Sequence, residues 1–514
     1  MITKEDLPEL RLKLEHPVYQ SRMQQLQKLA GKGDMAANAL LYLAGYGDQY
    51  GQKAKSALLL EEWSGGSGDA AGLRGYSAVA TYDWVFELMT PTEREQAFQN
   101  VHGMLLATIS AGSAPGGGGQ GFYASGPYGR WPGFFRPWLG LAAKGEGVDD
   151  TTVEEILVHA YGDIQDDQHW GMYEPERGKA VLDVLNTIGL DTGGSQAGNH
   201  INSPTSGYTS MYLKGGPLFV FGWDTATGGT ERVAARCSYA RYLAHWLTYE
   251  SNRWRYEGGR NYSYIPTGYG TSGVIEYLTG VYKDIDPDMA ALAACLLEVC
   301  DINPRGYYNW IVPALILGDL RVQPKSPEQL GLPTAAYLRG ADAFYSMSSW
   351  KDDATRVVMN IRYLDTNRYE PSSNTFRISR FGFLATGSQT GKDIRGAHNH
   401  AGIWFYEPED LLNQEESTYW SGARKQQGTT FWGGLQYKPK PKRATGARQV
   451  AENPAYRAGG PSAVGVHESY RFATSDAART MKVRLSAVKR YERTLLHLLP
   501  VGPDREYVVV HDRT

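Results

Sequence analysis

The chain contains the stretch Gly194-Ser195-Gln196-Ala197-Gly198-Asn199-His200, which brings one imidazole next to two carboxamides between predicted helices. An imidazole takes or gives a proton near neutral pH, and an amide N–H donates to an anionic oxygen. The plainer alternative is a helix cap followed by a surface histidine. Farther on, Arg255-Tyr256-Glu257-Gly258-Gly259-Arg260-Asn261-Tyr262-Ser263-Tyr264 sets three tyrosines among two arginines. A guanidinium beside a phenol favours the phenolate and eases proton transfer. Packing of that loop against a helix is the competing role.

Three further groups could handle charge or sugar. Arg368 cannot act as a base at neutral pH, but its fork can clamp a carboxylate or sulfate through two hydrogen bonds. His398 and His400 flank Asn399, and residues two apart on a strand project to one face, where they could hold a divalent metal or a sugar. Trp131 and Arg136 lie in a glycine-rich stretch with Tyr123, Tyr128, Phe135 and Trp138. Aromatic faces stack on the C–H faces of sugars and arginine meets acid groups, while core packing competes for the same rings.

These residues must be carried by elements that hold them at fixed separations. Thr90-Pro91-Thr92-Glu93 is a capping box with proline at the first helical position, followed by Phe98, Val101, Leu105 and Ile109 on one face. A second helix is expected from Thr151, with Val153, Ile156, Leu157, Ala160 and Tyr161 at helical spacing, and others near 35–44, 73–89, 232–249 and 289–299. Between them, 112–138, 193–217 and 253–273 read as long glycine- and aromatic-rich loops. After the proline-rich 322–327 segment, strand patterns dominate, at 357–363, 375–384, 403–406, 481–485 and 507–510. Helices followed by strands predict two segregated domains, 1–322 and 323–514. A length of 514 residues also exceeds one ordinary core.

Several segments, in order along the chain, resemble the heparinase II/III-like polysaccharide lyases. They are Asp6-Leu7-Pro8-Glu9-Leu10-Arg11, Tyr82-Asp83-Trp84 with Leu88 to Arg94, residues 337–350, Asn374 to Gly382, and Ala397-His398-Asn399. The resemblance implies an α/α toroid followed by an antiparallel β-sandwich. It also implies β-elimination on an acidic, uronate-containing polysaccharide in the periplasm or outside the cell. By the same likeness Asn199, with Gln196, would neutralise the uronate carboxylate, and His200 would be the base. Tyr262 would be the acid, or both acid and base on a syn substrate, with Tyr264 and Tyr256 as alternatives, and Arg260 would sit beside it.

The chain also departs from that family. Where a His-x-His-x-Asp run is usual it has Arg368-Tyr369-Glu370-Pro371-Ser372, and Gly387 stands where an acidic residue often follows. Of the family's zinc ligands only His398 remains, so no cofactor is expected; a divalent ion near His398 and His400 is the one metal site left open.

Bulk properties narrow the partners. A net charge of −3 argues against nucleic acid, and no apolar run is long enough to span a bilayer. The three cysteines, Cys237, Cys295 and Cys300, have neither disulfide nor zinc spacing and read as core thiols. The opening Met1 to Leu14 lacks the apolar core of a signal peptide, and the last strand pattern is expected to continue past Thr514. Two other classes compete: a glycoside hydrolase, for which Glu257, Asp163 and Glu174 are the available carboxylates, and a glycan-binding relative without activity. The oligomeric state is left open.

Overall fold

The computed structural model describes residues 2, 4–60, 69–113, 127–161, 221–222, 224–226, 228, 233–236, 243–250, 272–299, 311–338, 343–351, 353–361, 375–380, 383–385, 461–476, 490–500 and 505–514. Helices come first: α1 (Leu7–Glu15), α2 (Gln20–Gly31), α3 (Met35–Leu43), α4 (Asp48–Leu60), α5 (Asp69–Trp84), α6 (Pro91–Ser113), α7 (Pro127–Ala143) and α8 (Asp150–Tyr161). They continue with α9 (Val233–Arg236), α10 (Leu243–Glu250), α11 (Ser272–Val281), α12 (Pro287–Val299) and α13 (Ile311–Leu317). No helix among the described residues is long and apolar enough to cross a membrane.

Local chemistry sets the helix ends. The capping box at α6 forms as expected: Glu93 N–H donates to Thr90 Oγ1 at 3.3 Å, and Thr90 N–H donates to Glu93 Oε2 at 2.8 Å. Asp34 caps α3 by accepting from Ala37 N–H at 2.8 Å. The helix expected over 73–89 stops at Trp84, and 86–88 form a 3-10 turn. There Arg94 of α6 donates to the carbonyls of Phe86 and Met89, at 3.2 and 3.1 Å, so both carbonyls bond outward.

The glycine-rich 112–138 stretch is not all loop, contrary to expectation. From Pro127 it forms α7, which packs on α5, α6 and α8. Phe135 and Trp138, candidates for sugar platforms, are fully enclosed there beside Tyr76, each at 6.0 Å from its ring centroid. The burial of Phe135 and Trp138, together with Leu139 and Ala143, works against the poor helix propensity of glycine and proline.

The two ends of the helical region meet. Helix α13 packs on α2 and α3 as well as on α11. Tyr19 Oη donates to Gly318 O at 3.2 Å and accepts from Leu320 N–H at 2.7 Å, and Arg22 pairs with buried Glu276 of α11 at 3.1 Å. At Gly280 a methyl group would run into Leu317 O, so α11 and α13 approach backbone to backbone only because a hydrogen stands there.

Two antiparallel sheets follow. The first runs β1 (Ala335–Leu338), β2 (Ala343–Met347), β3 (Arg356–Asn360), β4 (Thr375–Ser379), β5 (Phe383–Ala385), in that spatial order. The second runs β6 (Ala463–Val466), β7 (Tyr470–Asp476), β8 (Glu492–Leu498), β9 (Tyr507–Arg513). The single strand expected over 375–384 is thus two, with a register irregularity at Ile378/Ser379. Strand alternation sends β2 to two cores. Ala343, Tyr345 and Met347 face the helices, whereas Phe344 joins Val357 and Met359 against Ala473 and Leu495 of the second sheet. The first sheet is therefore a middle layer, between helices and second sheet.

The helix expected over 232–249 is represented by α9 and α10. The strands expected at 403–406 and 481–485, with Cys237 and Cys300, lie outside the described residues. Cys295 on α12 is buried.

Candidate functional site

Most of the residues singled out by type and spacing lie outside the described residues: Gln196, Asn199, His200, Tyr256, Arg260, Tyr262, Tyr264, Arg368, His398 and His400. Trp131 falls on α7, and Arg136 lies one turn farther along the same helix. The described elements nevertheless fix the two ends of two of the segments that carry them.

The segment carrying Tyr256, Arg260, Tyr262 and Tyr264 leaves α10 and re-enters at α11. Tyr249, next to the last residue of α10, sits at the junction of helices and first sheet. Its ring lies 5.8 Å from Tyr345 of β2 and 5.3 Å from Trp350, and its hydroxyl donates to Pro333 O at 2.6 Å. Burial of that phenol pushes its pKa well above the usual tyrosine range, and the positive charge of Arg471 only partly opposes this. Tyr249 is thus an anchor and not a proton carrier.

The segment carrying Arg368 joins β3 to β4, whose ends pair as Asn360 with Thr375, and Asn360 also pairs with Ala343 of β2. Ala343 is two residues from Tyr345 and shares its face, so the two positions are roughly 7 Å apart along the strand. Both segments are therefore anchored on one neighbourhood of the middle layer.

Arg136 is the one predicted substrate contact whose side chain is described. Its Nε donates to His102 Nε2 on α6 at 3.4 Å, and His102 stacks on Phe98 with ring centroids 5.9 Å apart. Among the described residues Arg136 makes no ion pair, although its guanidinium is largely desolvated, which lowers its pKa. A half-buried guanidinium whose partner is a neutral ring is suited to receive an anion. His102 must be neutral to accept, and burial first, then the Arg136 charge, bring its pKa down to about 4 against the pull of Asp149. Sequence reading missed His102, because one histidine on a helix face carries no spacing signal.

That shift has a consequence for stability. Below the unfolded value of 6.5 the unfolded chain takes up a proton that His102 refuses until about pH 4, so stability falls as pH drops through this window. The wild type is expected to lose on the order of 1–2 kcal/mol more than His102→Gln between about pH 7 and pH 5, measured by urea unfolding. Parallel pH profiles for the two proteins would contradict this assignment.

A second buried polar group has the order of a hydrolytic triad. Ser346 Oγ lies 2.7 Å from His497 Nδ1, and His497 Nε2 lies 2.6 Å from Glu506 Oε1. Ser346 and His497 are both fully enclosed, so no substrate carbonyl reaches the hydroxyl. The group ties the two sheets together. Among the described residues no cluster of His, Cys, Asp and Glu could hold a metal ion.

No family model and no curated protein matches the chain. Among solved structures it is similar to the heparan sulfate lyase HepC from Pedobacter heparinus, at 12% identity and a TM-score of 0.40, over 96% of this chain and 67% of that one. A mutant of HepC aligns with 12% identity and a TM-score of 0.40 over 90% of this chain and 59% of its own, so the chain spans about three-fifths of that protein's length. The likeness is a distant one to polysaccharide lyases in overall form, and neither activity nor site residues pass across it.

Proposed function

We propose that the protein is a polysaccharide lyase that cleaves a uronate-containing, anionic polysaccharide by β-elimination and leaves a 4,5-unsaturated uronate end. In this reading 1–322 form the α/α toroid and 323–514 the β-sandwich domain, and the enzyme works in the periplasm or outside the cell. The proton at C5 of a uronate is a weak acid because the neighbouring carboxylate is already negative, so donors must neutralise that carboxylate first. Asn199 and Gln196 supply amide donors, His200 removes the C5 proton, and Tyr262 protonates the departing O4. Tyr264 and Tyr256 are the alternative acids. Arg368, Arg260 and Arg136 meet the acid groups, Trp131 stacks on sugar, and His398 and His400 contact the leaving side.

The observation that supports this reading best is the common anchorage of two candidate segments. Those holding Tyr262 and Arg368 both depart from the neighbourhood of Tyr345, where helices meet the first sheet. Two segments that start from one junction of helices and sheet can place an acid and a carboxylate clamp on the same stretch of polymer.

The test is incubation with alginate, heparan sulfate, chondroitin, hyaluronan, ulvan and glucuronan while following ultraviolet absorbance. Rising absorbance with new reducing ends is the expected result on at least one polymer. Reducing ends without absorbance would mean hydrolysis, and retention of polymer with neither signal would mean a binding protein.

A further inference from the structure

A cavity of about 600 Å³ opens where α1 meets residues 280–284 and the end of α13. Helix α1 presents Glu9, Leu10 and Lys13 to it, on one helical face, with Asp6 just before the helix. Lys13 is 8% exposed, and its Nζ donates to Ile316 O at 3.1 Å with the Tyr19 ring centroid 5.8 Å away. Among the described residues it makes no ion pair. Asp319, the acid whose charge acts on it, is taken by Lys283 at 3.1 Å and Arg321 at 2.9 Å, and Glu9 is taken by Arg321 at 2.6 Å.

We propose that this cavity is a second ligand site, in which the Lys13 amine condenses with a small, neutral hydroxyaldehyde to form an imine. A neutral amine keeps its hydrogen bond to Ile316 O and still offers a lone pair to the cavity. Burial favours that form: desolvation, aided by Arg321, Lys283 and Arg22, outweighs the attraction of Asp319 and brings the amine down to about 7. The Nζ lone pair adds to the carbonyl carbon while one N–H proton moves to the carbonyl oxygen. The resulting hydroxyl then leaves as water with the second amine proton, and the C=N bond closes. The step needs no oxidant or reductant.

The walls set the ligand's charge. Asp6, Glu9, Asp224, Asp284 and Asp319 line the cavity against only Lys13, Lys283 and Arg321. An anionic carbonyl compound is repelled, whereas hydroxyl groups find acceptors.

The experiment is reductive trapping on the full chain at about neutral pH, with glycolaldehyde and cyanoborohydride, followed by peptide mapping. Lys13 is expected to be labelled about ten-fold faster, or more, than exposed Lys144 and Lys325, since only about one amine in a thousand is unprotonated on an ordinary lysine there. With glyoxylate, an anionic aldehyde, that preference is expected to fall about five-fold or more. Labelling of Lys13 no faster than Lys325 would overturn the site, and equal preference for glyoxylate would overturn the ligand class. The unaltered chain is used, so no variant's misfolding enters the result.

Discussion

Replacing His497 by alanine is expected to lower the free energy of unfolding by about 3–5 kcal/mol, the range for leaving a buried charge, here the Glu506 carboxylate, without its partner. The imidazole bridges Ser346 of the first sheet and Glu506, which precedes β9 of the second, at 2.7 and 2.6 Å. Glu506 also accepts from Thr355 Oγ1 at 2.5 Å and has Arg380 at 3.7 Å. Burial by itself would raise the Glu506 pKa. Hydrogen bonds from His497 and Thr355, with the charges of His497 and Arg380, more than reverse this and hold the carboxyl below its usual range. Without the ring, Glu506 keeps its burial and loses its main partner, and Ser346 is left facing a cavity. Thr355→Val, which removes one neutral donor, is expected to cost less, about 1–2 kcal/mol. Since the Glu506 pKa is depressed on folding, its contribution is present above the unfolded value of 4.5 and fades as pH falls through the folded one. Urea unfolding of wild type and His497→Ala at about pH 7 and pH 4 should show the gap narrowing in acid. A loss under about 1 kcal/mol at neutral pH would mean that the bridge does not hold the sheets.

The second large effect is on turnover. His200→Ala and Tyr262→Phe are each expected to lower kcat by about 10²–10⁴, the usual loss on removing a proton-transfer group, with polymer binding changed only a few-fold. Tyr262→Phe keeps the ring and deletes only the proton-bearing oxygen, which separates acid catalysis from stacking. Parallel Tyr264→Phe and Tyr256→Phe variants identify the acid by which hydroxyl is needed. Arg368→Ala should instead act mainly on KM, because a guanidinium clamp binds ground state and transition state alike. Unchanged cleavage in both His200→Ala and Tyr262→Phe would remove these residues from the reaction, whatever the polymer.

The elements most legible in the sequence are those whose information is local. The Thr90–Glu93 capping box, the helix at 151–161 and the last strand, expected at 507–510 and found over 507–513, each follow from a cap or a periodicity within a short window. The reading failed where burial overrode local preference. Glycines and prolines in 112–138 predict a loop, yet from Pro127 the chain is helical, with Phe135 and Trp138 packed on Tyr76. Residue types and spacing marked Arg136 as an anion contact but not His102, whose meaning comes from facing Arg136 across two helices. The same limit hid Lys13 and His497. Lys13 meets Ile316 from 303 positions away, and Ser346 meets His497 from 151. Thus the order of helices and strands, their caps and the residue types suited to a lyase were set by the sequence alone. Which polar groups are buried together, and so which lysine loses its charge and which histidine ties two sheets, was decided by the packing of layers. Desolvation and long-range contact depend on neighbours that no local window contains.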